Sequence, residues 1–307
     1  EELLAATGAD LAGVHAADLA LSTANGAVPI YVDGGRIFNP GSYFEFYGQG
    51  LDTLYTDSNV YRLEVNGAAA LKMAVDQTRM ARKVRPASYY METVAVEHNN
   101  KYGYLATNGD PWYDTLMYTT TGLQFTRDDL VVDNYVDAAP STLIAEMWGM
   151  TDLANPIKHH VQLDFNGQPV ADTYFVGQAV ETVNEQVPAG SVQEGVNTVT
   201  FTIPNDEGGE YDIVALEMYG LTYPRAFVAR DGQLDFSGTA DAFRVTDLDS
   251  NQIVAYRVDG DMPIRLSRIK VVSRNGAYTA TFAGSQGEAS YYVSTEAALA
   301  APEMALS

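Results

Sequence analysis

Asn-Gly at 66–67, 166–167 and 275–276 limits the fold of this chain more than any other feature. Asn-Gly supplies the left-handed residues of a tight turn and is the strongest short-range signal for a chain folding back as an antiparallel pair. Each dipeptide directly follows a run with strand character. In 59–65, Tyr61, Leu63 and Val65 share one face against Val60, Arg62 and Glu64. The run 159–165 precedes Asn166-Gly167, with 173–176 as its returning arm, and Asn275-Gly276 separates 264–272 from 278–282.

Similar runs fill the rest of the chain. They are 28–32, which ends at Asp33-Gly34, then 43–47 (Tyr-Phe-Glu-Phe-Tyr), 89–96, 142–150, 196–203, 212–221, 242–245 and 253–258. In 196–203, Val196, Thr198, Thr200 and Thr202 alternate cleanly with Asn197, Val199, Phe201 and Ile203. Tyr223-Pro224-Arg225 marks the exit from 212–221. Helix is expected only as one or two short pieces in the Ala- and Leu-rich residues 1–20, and more weakly at 68–77 and in the tail 297–307. No internal repeat is evident. The fold class is therefore all-β, multi-module, with β-sandwich or jelly-roll-like modules and a few short helices.

Composition shifts place boundaries at 129–141, where an acidic stretch meets Ala-Ala-Pro, and near 232–239. The expected domains are a mixed N-terminal β domain over 1–137, a jelly-roll-like sandwich over 138–234, and a small β domain with a linker tail over 235–307. Hydrophobic residues make up 46%, enough to build cores of this kind.

Charge and cysteine usage exclude several functions. The chain has 18 Lys and Arg against 40 Asp and Glu, a net charge of -22. A field of that sign repels the phosphate backbone, so nucleic acid is not an expected partner. With 0 Cys there is no disulfide framework, zinc–thiolate site or cysteine nucleophile in these residues. No stretch has the apolar length of a membrane-spanning helix, so no membrane insertion is expected. The chain starts at Glu1 with neither an initiating Met nor a signal peptide, and reads as a mature or trimmed chain.

An ordered series of motifs carries a family resemblance. It begins with Val-Pro-Ile-Tyr-Val at 28–32, Gly-Ser-Tyr-Phe-Glu-Phe-Tyr-Gly at 41–48, Leu-Asp-Thr-Leu-Tyr-Thr at 51–56 and Asn-Val-Tyr-Arg-Leu at 59–63. Glu97 to Tyr102, Pro111-Trp112-Tyr113-Asp114, His159-His160-Val161, Asn197-Thr198-Val199, Asn205-Asp206 and Tyr223-Pro224-Arg225 continue it. The series resembles the region that precedes the catalytic domain in bacterial gingipain-like cysteine peptidases. The resemblance covers most of 1–235 and thins afterwards. That family's chemistry lies in a caspase-like α/β domain with a His and a Cys, and this sequence, having no Cys, cannot carry the dyad. The resemblance implies a non-enzymatic region of a secreted or cell-surface bacterial precursor. Its partner would be its own downstream peptidase domain, toward which a gingipain prosegment is an inhibitor and folding aid.

Three groups of residues are candidates for contacts. Arg79, Arg82, Lys83 and Arg85, with Lys72 nearby, concentrate basic charge in a chain that has little of it. They suit an exposed loop offered to a peptidase, as an inhibitory plug or a processing site, and equally a solvated loop paired with surrounding acids. Trp112, Tyr113 and Trp148 are aromatic rings that suit stacking on surface glycans, or the filling of sandwich cores. A glycan- or cell-surface-binding module is thus the alternative function. Asp247, Asp249, Asp259 and Asp261 are loop carboxylates of the kind that bind structural calcium, the one cofactor considered, though they lack the full EF-hand pattern. His159 and His160 are adjacent on a strand and point to opposite faces, so they are poorly placed to bind one metal together.

Overall fold

A computed structural model describes residues 7–51, 53, 56–104, 106, 111–150, 158–259 and 262–305. The protein is all-β. Helix in named elements is confined to the 3-10 turns Ala16–Asp18 and Glu296–Ala298. The weak helix expected over 68–77 contains instead the strand Ala74–Asp76. The short helices expected within 1–20 fall partly on residues 1–6, outside the described residues; Thr7 is helical, Ala16–Asp18 is a 3-10 turn, and the strand Leu19–Thr23 begins within the range. No helix among the described residues is long and apolar enough to cross a membrane.

The chain forms two compact units that do not follow the three consecutive domains expected. One is Ser88–Ala226; the other joins Glu1–Ala87 to Phe227–Ser307. Both expected boundaries fall inside units. The first lies in the loop after Leu123–Val132, a strand whose partner Gly195–Ile203 is far along the chain. The second is itself a strand, Gln233–Gly238, paired with Ala289–Thr295.

Ser88–Ala226 is a jelly roll. One sheet has the order Thr115–Thr119, Asp212–Arg225, Thr142–Gly149, Val180–Gln186. The other has the order Leu123–Val132, Gly195–Ile203, Lys158–Phe165, Gln168–Val176. This interleaving of strands from Thr115 onward is the double-sheet arrangement of a jelly roll. Tyr90–Glu97 extends the first sheet by pairing with the second half of Asp212–Arg225, whose first half pairs with Thr115–Thr119. The long strand runs through Pro224 instead of ending before it. Its ladder to Thr142–Gly149 stops at Thr222, so the missing proline N–H costs no bond on that side. Inward residues of both sheets, among them Leu143, Met147, Val161, Leu163, Phe201 and Leu216, fill one core. Asn166-Gly167 makes the expected hairpin turn, with φ 48 and 74 at its two residues. Asn66-Gly67 turns differently, with Ala69 N–H donating to Asn66 O at 3.1 Å.

The discontinuous unit holds a sheet ordered Gln233–Gly238, Ala289–Thr295, Ile253–Asp259, Met262–Leu266, Ala74–Asp76, the last pair parallel. A second sheet is Ala242–Leu248, Ala277–Ala283, Lys270–Arg274. Phe227, Phe236, Phe243, Phe282 and Tyr291 pack as a ring cluster with centroids 4.6–6.1 Å apart. Such pairs contribute about 0.5–1.5 kcal/mol each beyond burial. The N-terminal residues add Gly26–Val28, Leu19–Thr23 and Arg62–Val65 as one small sheet, and Ile30–Asp33 with Tyr43–Phe46 as another.

Candidate functional site

The basic residues lie on an irregular stretch between two fixed points. At its start the Asp76 carboxylate accepts from Thr78 N at 2.7 Å and from Arg257 Nη1 at 2.9 Å. Hydrogen bonds from Thr78 first, then from Arg257, outweigh burial and hold the Asp76 carboxyl below its usual range. At its end Ala87 N–H donates to Ala242 O at 3.0 Å. Between them there is no strand, and Lys83 adopts a left-handed conformation with φ 69. Arg79, Arg82, Lys83 and Arg85 are all exposed. None of them has a carboxylate within 4.0 Å among the described residues, where Arg127, Lys158, Arg225, Arg257 and Arg265 each do. Lys72 stands apart from this group. Its Nζ donates to Ala16 O at 2.6 Å and Leu19 O at 3.0 Å, and burial lowers its pKa.

A loop of free cations anchored at both ends has clear chemical uses. A guanidinium forms two parallel hydrogen bonds to a carboxylate, and such charge-assisted bonds are about twice as strong as neutral ones. An exposed, irregular segment is also where a peptidase can bind and cut. The residues are the last before the chain passes into the jelly roll at Ser88.

The aromatic candidates separate. Trp148 is fully buried and Tyr113 is 7% exposed; their rings meet edge to face at 5.5 Å over Ala215. Gly103 makes this possible, since a Cβ there would lie 3.2 Å from the Tyr113 ring and closer still to Trp148. Two of the three glycan candidates are therefore core residues. Trp112 remains at the surface, edge-on to the exposed Tyr102 at 5.4 Å.

Of the four calcium candidates, Asp247 and Asp249 have described side chains. Asp247 occupies a β-bulge with φ 62, and Asp249 is exposed beside Gly232. Asp261 and the side chain of Asp259 lie outside the described residues. Among the described residues no group of three or more His, Cys, Asp or Glu side chains could hold a metal.

His159 and His160 do point to opposite faces, and each has a carboxylate partner that the sequence did not reveal: one for His159, two for His160. His159 is fully buried against Phe175, with Nδ1 2.5 Å from Asp212 Oδ1 and Nε2 3.0 Å from Gly177 O. An oxygen partner thus faces each of its two nitrogens. His160 stacks on Tyr174 at 4.1 Å, with Nδ1 2.8 Å from Asp206 and Nε2 2.7 Å from Asp172. Burial opposes its cation, but the Asp206 and Asp172 hydrogen bonds prevail and raise its pKa. Neither ring offers a free nitrogen for a metal or for general base catalysis. The signal was present as Asp172, Asp206 and Asp212 downstream of the pair, but only the fold brings them within reach.

No protein-family profile and no curated protein matches this chain. Among solved structures, dimeric latent PorU from Porphyromonas gingivalis is similar with a TM-score of 0.62 at 11% identity, over 94% of this chain. The chain spans about 30% of the length of PorU. A second match, the structure of infectious bursal disease virus Gt strain, covers 90% of this chain and 61% of that one at 8% identity. Its TM-score is 0.27, and it carries no argument. What the chain shares with PorU is the fold, and the two stand in a distant structural relationship.

Proposed function

We propose that this chain is the non-catalytic N-terminal region of a secreted or cell-surface gingipain-like peptidase. It acts on the catalytic domain downstream of it, as an inhibitory prosegment or accessory region. The observation that carries the reading is the anchored loop of Arg79, Arg82, Lys83 and Arg85, exposed and with no carboxylate within 4.0 Å among the described residues, in a chain of net charge -22. That no described carboxylate pairs with the loop favours a partner over the solvated-loop reading. A basic loop meeting an acidic pocket gains in association rate as well as in contact.

Two further facts support it. The ordered motifs from residue 28 to 225 resemble the region that precedes the catalytic domain in that family. The fold likeness to PorU, a protein solved in a latent state, extends over nearly all of this chain and a minor part of that one. The glycan alternative keeps Trp112 alone of its three contacts.

The test is inhibition in trans. The downstream catalytic domain is produced separately and titrated with this chain, and then with a variant carrying Arg82→Ala, Lys83→Ala and Arg85→Ala. Inhibition that weakens at least about tenfold, or 1.4 kcal/mol, in the variant is expected. No inhibition at high micromolar chain would sink the inhibitor reading. Inhibition unchanged in the variant would move the contact elsewhere.

A further inference from the structure

The sheet of Ala242–Leu248, Ala277–Ala283 and Lys270–Arg274 has two edges, and the chain treats them differently. It seals the Ala242–Leu248 edge with its own backbone. Thr246 N–H donates to Phe227 O at 2.9 Å, Ala229 N–H to Thr246 O at 2.9 Å, and Ala87 N–H to Ala242 O at 3.0 Å. The edge at Lys270–Arg274 is open. All of its residues are exposed, it pairs on one side with Ala277–Ala283, and among the described residues no other backbone pairs with it. An open edge presents unpaired N–H and C=O groups to any extended chain.

The charge there is the reverse of the molecule's. Lys270 pairs with Thr281, which pairs on its other side with Arg244. Side chains alternate along a strand, so Arg244, Lys270, Val272 and Arg274 share one face. Arg268 lies just before the strand. None of these four cations has a carboxylate within 4.0 Å among the described residues, and all four are exposed.

Cations on an edge strand are often guards against unwanted pairing. A guard accounts for one thing here: self-pairing about Val272 would set Lys270 against Arg274 of a second copy. It does not account for Arg244, two strands in from the open edge, which adds to the field of the same face. Charges that repel an identical strand attract an extended segment of opposite sign. We infer that Lys270–Arg274 is a docking edge for an extended acidic segment of a partner protein, which adds as a further strand. Main-chain hydrogen bonds supply affinity, and carboxylates beside Lys270 and Arg274 supply specificity.

The probe is a short labelled peptide alternating Glu and Val, added to the whole chain at low salt. Comparators are a proline-interrupted peptide of equal charge and a heparin-derived oligosaccharide. Binding is read by fluorescence anisotropy and by hydrogen exchange at residues 270–274. The alternating peptide is expected to bind, to slow exchange in those amides, and to lose at least about tenfold in affinity with Lys270→Glu and Arg274→Glu. Arg36→Glu with Lys101→Glu, two exposed cations outside this sheet and outside the 79–85 loop, is expected to leave binding unchanged and shows that the effect is not one of net charge. Absence of binding overturns the inference. So does equal binding of the comparators without slowed exchange, which would mean a charged patch and not strand addition. Self-association of the chain through this edge, with the peptide excluded, would overturn it as well.

Discussion

Glu45 is the residue whose loss tests most sharply how the discontinuous unit is held together. It sits on the N-terminal strand Tyr43–Phe46 and is 9% exposed. Its Oε2 accepts from Tyr256 OH and, at 2.8 Å, from Arg265 Nε, residues 211 and 220 positions away in sequence. The Arg265 guanidinium also lies 4.1 Å from the centroid of the Tyr31 ring. Burial first, then the Glu45 carboxylate, raises the pKa of Tyr256, so the phenol stays a donor. For Arg265, burial works against the cation and the carboxylate more than restores it. Glu45→Gln leaves a half-buried guanidinium without its counter-ion. Breaking a buried pair from one side costs about 3–5 kcal/mol, and the Tyr31 contact and residual exposure of Arg265 argue for the lower end. At about 2–4 °C per kcal/mol for a unit of this size, a loss of about 3 kcal/mol lowers the melting temperature by about 6–12 °C. The assay is selective because both Trp residues, Trp112 and Trp148, belong to the jelly roll. Circular dichroism or calorimetry should show the early transition, with the Trp fluorescence midpoint unmoved. Combining Glu45→Leu, Tyr256→Phe and Arg265→Met should recover most of the loss, since an apolar replacement of the whole network removes the orphaned charge. A Glu45→Gln shift below about 1 °C, or a Trp midpoint that falls in step, would refute the reasoning.

Trypsin at low ratio should cut first within 79–85, where four exposed cations lie on an irregular segment; mass spectrometry of the first products checks this. Because 1–87 and 227–307 build one unit, the nicked chain should elute intact from gel filtration and separate only under denaturing conditions; a first cut elsewhere, or fragments that part without denaturant, would contradict it. His160 has a raised folded-state pKa, so its clamp stabilises fully below the unfolded value near 6.5 and loses that contribution as pH rises through the folded value. Asp206 is lowered, chiefly by the His160 hydrogen bond, so its share is present above its unfolded value near 3.8 and lost on acidification. The urea midpoint of His160→Gln should therefore fall furthest below wild type between these limits and converge with it at alkaline pH; a pH-independent gap would contradict the clamp.

Much of the strand pattern was legible because alternation reports which face of a strand is apolar. In Gly195–Ile203 the alternation seen in the sequence is real, and Asn197, Val199, Phe201 and Ile203 are its buried row. The Asn166-Gly167 turn was legible for a local reason as well, since the dipeptide adopts its conformation at little cost. Neither kind of signal names a strand's neighbour. Ala74–Asp76 runs parallel to Met262–Leu266, and only a complete fold reveals that pairing. This is why composition placed boundaries inside both units. The contact residues divide along the same line. Four clustered cations stay at the surface because burial without a counter-ion is too costly, so their exposure could be read from charge alone. Tyr113 and Trp148 are buried because Gly103 leaves room for their rings, a circumstance no aromatic residue announces in its own sequence. The open edge was the least legible feature of all. Residues 264–272 read as one strand, yet the chain breaks after Leu266 and resumes at Lys270 in a different sheet. Continuing in the first sheet would have put Val271 and Val272 into a central ladder. The break makes them an edge, and with Lys270 and Arg274 beside them that edge accepts an acidic strand and rejects its own copy.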